Sequence, residues 1–339
     1  MKLIVRAPNW VGDAVMALTT LDKIKSIMTC AETVTVMARK ATSPLFKNHP
    51  DVDEIIKIDD KCNPFLGTKR SAGLIKAEKF DVGLILPPSL SAALIFKLGN
   101  VSKRFGYATD KRSLLLTRAI EEPAEAMHRV EKYIYLLEKI SGKKIKSHNP
   151  TVYLSHDDIS AGAEDLKQAG LNYEDKYIAI APRAIGESRR WGSNKYGQLA
   201  VRLSEKYTVK VFLVGTANDS DTAEEIRAIA PDTIVNLCGQ TSLMSAAAIL
   251  SFAKLFVGND SGLAHLAGGV KCPLVVLSGA DNPQETSPMC DDKTVIIKDI
   301  DCISCVKNKC RNKGEEFMLC MKLITVDEVF DAASKRIKI

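Results

Sequence analysis

The sequence predicts an α/β protein made of two Rossmann-like domains with mostly parallel sheets. Three observations carry that expectation. Short apolar runs bounded by turn residues alternate with stretches of helical periodicity along the whole chain. A polar segment rich in lysine and chain breakers, residues 141–150, interrupts the alternation near the middle. The length of 339 residues suits two domains of ordinary size.

In the first half the strand candidates are residues 3–5, 34–37, 55–58 and 82–86, with a weaker one at 105–107. Runs this short, separated by amphipathic stretches, are the mark of βα units. Between the first two runs, Val15, Leu18, Leu21, Ile24 and Met28 recur at three- and four-residue intervals and define one buried helix face. After the break a second series follows at 177–181, 209–214, 233–237, 255–257, 274–277 and 295–297. The expected organisation is therefore residues 1–154, residues 155–324 and a C-terminal helix over 325–339. Two such domains are expected to face one another across a cleft, with ligands at the carboxyl ends of the strands.

Composition narrows the class. With 46% hydrophobic and 26% charged residues the chain resembles an ordinary globular protein, which excludes bulk disorder. No stretch approaches the roughly 18 uninterrupted apolar residues of a membrane span; the uncharged run 82–96 is broken by Pro87, Pro88, Ser89 and Ser91. Arg6, Pro8 and Asp13 break the apolar start before a signal peptide can form, so a cytoplasmic protein is expected. Nine cysteines, an odd number, then read as reduced thiols or metal ligands.

The net charge of +6 is unevenly spread: residues 1–150 hold 25 Lys/Arg against 16 Asp/Glu, and the remainder 22 against 25. Lys97, Lys103, Arg104, Lys111, Arg112 and Arg118 are opposed only by Asp110. Such a surface suits an anionic partner: nucleic acid, an acidic membrane or a phosphorylated substrate. A solvated face is the plainer reading.

Three turns and one cysteine cluster carry candidate chemistry. The first βα turn, Arg6-Ala7-Pro8-Asn9-Trp10-Val11-Gly12-Asp13, has too few glycines for a dinucleotide fingerprint and no P-loop lysine. It does place Asp13 at a helix start and a strand's carboxyl end, as a general base or simply as a dipole-stabilised aspartate. The turn Gly258-Asn259-Asp260-Ser261-Gly262 leads into a helix carrying His265, and offers free N–H groups to a phosphate or a capped terminus. After the first strand of the second half come Arg183, Arg189 and Arg190, guanidinium groups suited to phosphate, beside Trp191. Cys302, Cys305, Cys310 and Cys320 can hold a structural zinc or remain free thiols.

Taken in order, PNWVGDAVMA at 8–17, RRW at 189–191, NDSGLAHLAGG at 259–269 and PLVVLSGADNPQETSP at 273–288 resemble the ADP-heptose:lipopolysaccharide heptosyltransferases of glycosyltransferase family 9. Type II is matched more than type I, and the terminal C-x2-C-x4-C…C-M-x-x-I pattern is also similar to type II members. The resemblance implies a GT-B fold and an inverting transfer of heptose from ADP-L-glycero-D-manno-heptose to the inner core of lipopolysaccharide, as its second heptose. It implies no cofactor for the chemistry. The implied partners are the nucleotide-sugar donor, the lipopolysaccharide core acceptor and the cytoplasmic face of the inner membrane, as a peripheral protein, with no nucleic acid.

By the same resemblance Asp13 is the catalytic base, and Asp260, Ser261, Gly262, His265, Arg189 and Arg183 bind the donor and its diphosphate. Asp221 falls where a glutamate commonly reaches the ribose, and Arg189 where lysine is usual. Asn9, Trp10 and Gly12, with Lys103, Arg104 and Arg112, are the acceptor-binding candidates. The competing readings are a non-catalytic nucleotide-sugar-binding protein, a transferase of the same fold with another acceptor, and an oxidoreductase, the last disfavoured by the missing glycines.

Overall fold

A computed structural model describes residues 1–59, 64–172 and 174–337. The chain divides into two compact units, Met1–Tyr153 and Leu154 to the C-terminus. The division falls one residue before the expected boundary.

The first unit holds a sheet of β1 (Lys2–Arg6), β2 (Thr33–Arg39), β3 (Glu54–Ile58), β4 (Val82–Ile85), β5 (Lys103–Tyr107) and β6 (Arg118–Ile120). All its pairings are parallel, in the order β3-β2-β1-β4-β5-β6. Its helices are α1 (Val11–Ile27), α2 (Pro44–Lys47), α3 (Pro64–Lys76), α4 (Leu90–Leu98) and α5 (Arg129–Ser141). The central strands are apolar throughout rather than alternating, because helices cover both faces of a parallel sheet; every residue of β4 is buried. Val15, Leu18, Leu21 and Ile24 of α1 are buried as their spacing requires. Gly83 in β4 is needed for space, since a Cβ there would stand 2.4 Å from the Phe96 ring.

Asp22, on α1, gathers three donors. Tyr153 Oη donates to Oδ1 at 3.0 Å, His148 Nε2 to Oδ2 at 2.8 Å, and His49 Nε2 lies 3.0 Å from Oδ1. Burial alone would raise this carboxyl, but the hydrogen bonds from His49, His148 and Tyr153 hold it below its usual value. His148 and Tyr153 belong to the segment by which the chain leaves the first unit, so this cluster fastens that segment to α1.

The second unit repeats the plan with β7 (Tyr177–Ala181), β8 (Lys210–Leu213), β9 (Ile234–Asn236), β10 (Leu255–Asn259), β11 (Leu274–Leu277) and β12 (Lys293–Ile296). These are again all parallel, in the order β12-β11-β10-β7-β8-β9, which read from the other edge is the order of the first sheet. Its helices are α6 (His156–Gln168), α7 (Ser193–Tyr207), α8 (Ser220–Arg227), α9 (Leu243–Phe252), α10 (Gly262–Gly269), α11 (Pro283–Thr286), α12 (Leu319–Lys322) and α13 (Val326–Arg336). Helix α13 packs on α7 and β11 and buries Val329 and Ala333 in this unit's core, so the C-terminal helix is part of the second unit rather than a separate element.

The predicted α/β class with two parallel sheets is what the chain adopts. In each sheet the strand order reverses once, between β1 and β4 and between β7 and β10. Loops that leave the carboxyl ends of those neighbouring strands diverge and leave a crevice, the place where such sheets bind ligands. Among the described residues no helix is long and apolar enough to cross a membrane.

Candidate functional site

In the first unit the turn after β1 carries Asn9, Trp10, Gly12 and Asp13. Buried Arg6 shapes it: Nη2 donates to Asn9 Oδ1 at 2.5 Å, and Nη1 to the Ala7 carbonyl. Trp10 is the N-cap of α1 without a side-chain cap bond, and it stands 59% exposed, an uncommon position for the largest apolar ring. Asp13 lies in the first helical turn with its side chain one-quarter exposed and 3.7 Å from the guanidinium of Arg129, the first residue of α5. Burial raises the Asp13 carboxyl above its usual value and Arg129 opposes the rise. Arg129 also hydrogen-bonds the buried hydroxyl of Tyr133.

The other acceptor candidates of this unit lie elsewhere or are engaged. Lys103 opens β5 and pairs in register with Val82, which pairs with Leu3, so it sits at the amino edge of the sheet, opposite the Asp13 turn. Arg104 donates Nε to the Leu115 carbonyl at 2.7 Å and Nη1 to the Val101 carbonyl at 2.6 Å. Arg112 is fully buried and bonds the carbonyls of Tyr107, Pro87 and Ser89. Arg112 is a buried cross-link between loops whose guanidinium is spent on carbonyls, which counts against a role as acceptor ligand; Arg104 is partly exposed and braces its loop through part-buried carbonyls.

In the second unit two loops flank the reversal between β7 and β10. Asn259, wholly buried at the end of β10, joins them: it accepts from the Trp191 N–H at 3.2 Å and donates to the Pro182 carbonyl at 3.0 Å. Trp191 is a core residue, its indole N–H on the Ile324 carbonyl at 2.8 Å and its ring edge-on to Tyr196. Asn259 and the acid Asp281, described below, both lie inside the quoted motifs, but neither was given a role there.

Asp260 follows Asn259 and is 6% exposed, and among the described residues its Oδ2 has no hydrogen-bond partner. Burial first, then the nearby Asp281 carboxylate, push it up to about 7, against the pull of Arg189 and Lys293. Ser261 is the N-cap of α10, but its hydroxyl makes no cap bond and is buried without a partner. A helix start normally spends these groups on its own N–H donors; here the Asp260 and Ser261 side chains are both left off the first turn of α10, whose opening N–H groups point out of the helix as at any helix start. His265, buried in the next turn, has Nε2 at 3.9 Å from Asp260 Oδ1.

Arg189 reaches this place but is held by Asp281, in the loop after β11, through Nη2–Oδ1 at 2.8 Å and a close Nε–Oδ2 contact. Arg183 turns toward the loop after β8, bonding the Asn218 carbonyl and lying 3.7 Å from Asp219. It braces the two loops through Nη1 and Nε. Asp221 is exposed in the first turn of α8, on the carboxyl side of β8.

Cys302, Cys305, Cys310 and Cys320 line one cavity of about 160 Å³ together with Ser188, Ala280 and Met318. Among the described residues no three His, Cys, Asp or Glu side chains converge to hold a metal ion, so the structural zinc expected there is not supported. Two of the sulfurs serve as hydrogen-bond acceptors instead, Cys302 from Asn312 and Cys310 from the Met318 N–H.

Comparison with known proteins accords with this geometry. The model of glycosyltransferase family 9 (heptosyltransferase) matches residues 70–315. Lipooligosaccharide heptosyltransferase 2 of Haemophilus influenzae is 31% identical over 310 residues, covering 87% of this chain and 88% of that protein. Lipopolysaccharide heptosyltransferase 2 of Escherichia coli is 30% identical over 309 residues, covering 87% and 88%. The solved structure of the E. coli ADP-heptose lps heptosyltransferase II superposes with a TM-score of 0.83 at 26% identity, covering 99% of this chain and 98% of that one.

Proposed function

The chain belongs to glycosyltransferase family 9, and from that premise we propose that it transfers heptose from ADP-L-glycero-D-manno-heptose to the inner core of lipopolysaccharide, adding the second heptose. Both Rossmann-like units that a GT-B glycosyltransferase requires are present. The observation that carries the reading is the unspent polar groups at the start of α10: the Asp260 carboxyl, the Ser261 hydroxyl and the first helix N–H groups, with Arg189 alongside. A helix N-terminus and a guanidinium are suited to the charge that develops on a departing diphosphate.

In the proposed reaction the acceptor hydroxyl attacks the anomeric carbon and forms the new glycosidic bond. The bond from that carbon to the diphosphate oxygen breaks, and ADP leaves with the electron pair. Asp13 takes the hydroxyl proton. Burial that raises its carboxyl makes it a stronger proton acceptor than a surface aspartate, while Arg129 keeps enough of it ionised to act. Exposed Trp10 offers a flat apolar face to the acceptor sugar beside that base.

The test is ADP release with purified protein, ADP-heptose and lipopolysaccharide cores truncated before or after the first heptose, with product masses read by spectrometry. Addition of one heptose mass to the core that already bears one is the expected result. Transfer only to the heptose-free core would move the activity to the first position, and no transfer to either, with ADP-heptose still bound, would favour a binding protein.

The basic surplus of the first 150 residues further supports a peripheral attachment to the anionic cytoplasmic face of the inner membrane. Co-sedimentation with anionic vesicles is expected at low salt and lost at high salt; sedimentation that ignores salt would refute it.

A further inference from the structure

We propose that Asp281 is the positioning residue of the donor half-site: it holds the Arg189 guanidinium in the orientation that receives the donor's diphosphate. The inference rests on the donor-site reading above and gives a role to a residue that the motif at 273–288 contains without assigning it one.

Arginine carries a large side-chain rotamer entropy, and a guanidinium that must be ordered by its ligand binds that ligand more weakly. Here the ordering is done in advance. Asp281 Oδ1 accepts from Nη2 at 2.8 Å and Oδ2 stands in close ionic contact with Nε, so the carboxylate lies along the Nε–Nη2 edge with one hydrogen bond and one charge contact. The remaining nitrogen, Nη1, lies under the Gly186 backbone, where a Cβ would come within 3.1 Å of it. Both side chains are about four-fifths buried, so the pair is screened less than a surface ion pair would be.

The two partners are also held at a set separation. Residues 304–308 run between the segment that carries Asp281 and the turn that carries Arg189. On one side Ser304 N–H donates to the Gly279 carbonyl at 3.0 Å, Val306 N–H to the Ala280 carbonyl at 2.7 Å, and Ser304 Oγ to the Asp281 carbonyl at 3.2 Å. On the other, Ser188 N–H donates to the Asn308 carbonyl at 3.2 Å and Ser188 Oγ to the Lys307 carbonyl. A carboxylate and a guanidinium tied through one common strap, with the Asp260 carboxyl within electrostatic reach of both, form a prepared anion site rather than an incidental surface pair.

Isothermal titration with ADP and steady-state kinetics on the full-length enzyme test this. Asp281→Asn is expected to weaken ADP binding about tenfold and raise the donor KM by a similar factor, with kcat and the acceptor KM within about twofold, by the preorganisation argument. Asp281→Glu recovers part of the loss because it keeps the charge. In an Arg189→Ala background the Asn substitution is expected to add nothing, since the two residues act as one unit.

Unchanged or tighter ADP binding by a folded Asp281→Asn enzyme overturns the inference, as do losses that simply add in the double variant. If Asp281→Asn fails to fold, Asp281→Ser serves as the variant, and a wild-type donor KM there has the same negative meaning. Wild-type enzyme that binds no ADP overturns the donor-site reading and this inference with it.

Discussion

Asp13→Asn lowers kcat by about 10²–10⁴-fold, the usual range for loss of a general base, while ADP binding stays within about twofold of wild type. The amide keeps the shape and hydrogen-bonding reach of the carboxylate but cannot take a proton. The donor groups lie in the other unit, so their affinity for ADP has no reason to change. Initial rates of ADP release at saturating donor and acceptor, beside calorimetry with ADP, separate the two effects. Full turnover in the variant would remove Asp13 from the chemistry.

The neighbouring Arg129 gives a second handle on the same residue. It opposes the effect of burial on the Asp13 carboxyl, so Arg129→Met is expected to move the acid limb of the kcat profile to higher pH. A limb that stays in place would show that the pair, 3.7 Å apart, is electrostatically idle.

ADP affinity is expected to fall as pH rises through about 7, and Asp260→Asn to abolish that dependence. The sign follows from the charges. Asp260 titrates near 7 in the free protein, raised by burial and by Asp281. A bound diphosphate beside it raises the carboxyl further, so the complex holds more protons than its separated parts and affinity declines once Asp260 ionises. At an effective dielectric of about 20 and a separation of about 5 Å, one extra negative charge costs on the order of 3 kcal/mol, roughly a hundredfold in affinity. Calorimetry from pH 6 to 8.5 reads the trend, and a flat wild-type profile would place the diphosphate away from Asp260.

The same group makes the free protein lose stability between its unfolded value near 3.8 and about 7, because the folded state prefers the neutral acid. Above that window its contribution is flat.

The strands were legible where they were long and apolar. Residues 177–181 and 274–277 read as strands because helices cover both of their faces and no polar residue interrupts them. β6 is three residues led by an exposed arginine, too short and too polar to stand out. The turns that hold Asp13 and Asp260 were also visible, since a strand, a glycine and a helix in succession put them at a carboxyl edge.

What the chain order did not disclose is how arginines and acids are spent. Arg104 and Arg112 look like a basic surface when counted, yet each reaches backbone carbonyls of neighbouring loops that only the fold brings into place. Asp281 and Asn259 stand in quoted motifs, but their partners are 92 and 68 residues away in sequence, so no local pattern discloses what they hold. The four cysteines have a suggestive spacing, but spacing does not decide whether thiols converge.

The cluster on Asp22 sets a load path through the first unit. Asp13 and Asp22 ride on one helix nine residues apart, about 13.5 Å at the rise of an α-helix. A helix is stiff along its axis, whereas the segment from Gly142 to Tyr153 carries no helix or strand of its own. A pull on the chain beyond Tyr153 therefore falls first on the hydroxyl and imidazole bonds to Asp22, and through them on the rod whose first turn bears Asp13, the proposed base. Tension at that exit would be spent on the lever that carries the base before it reached the sheet.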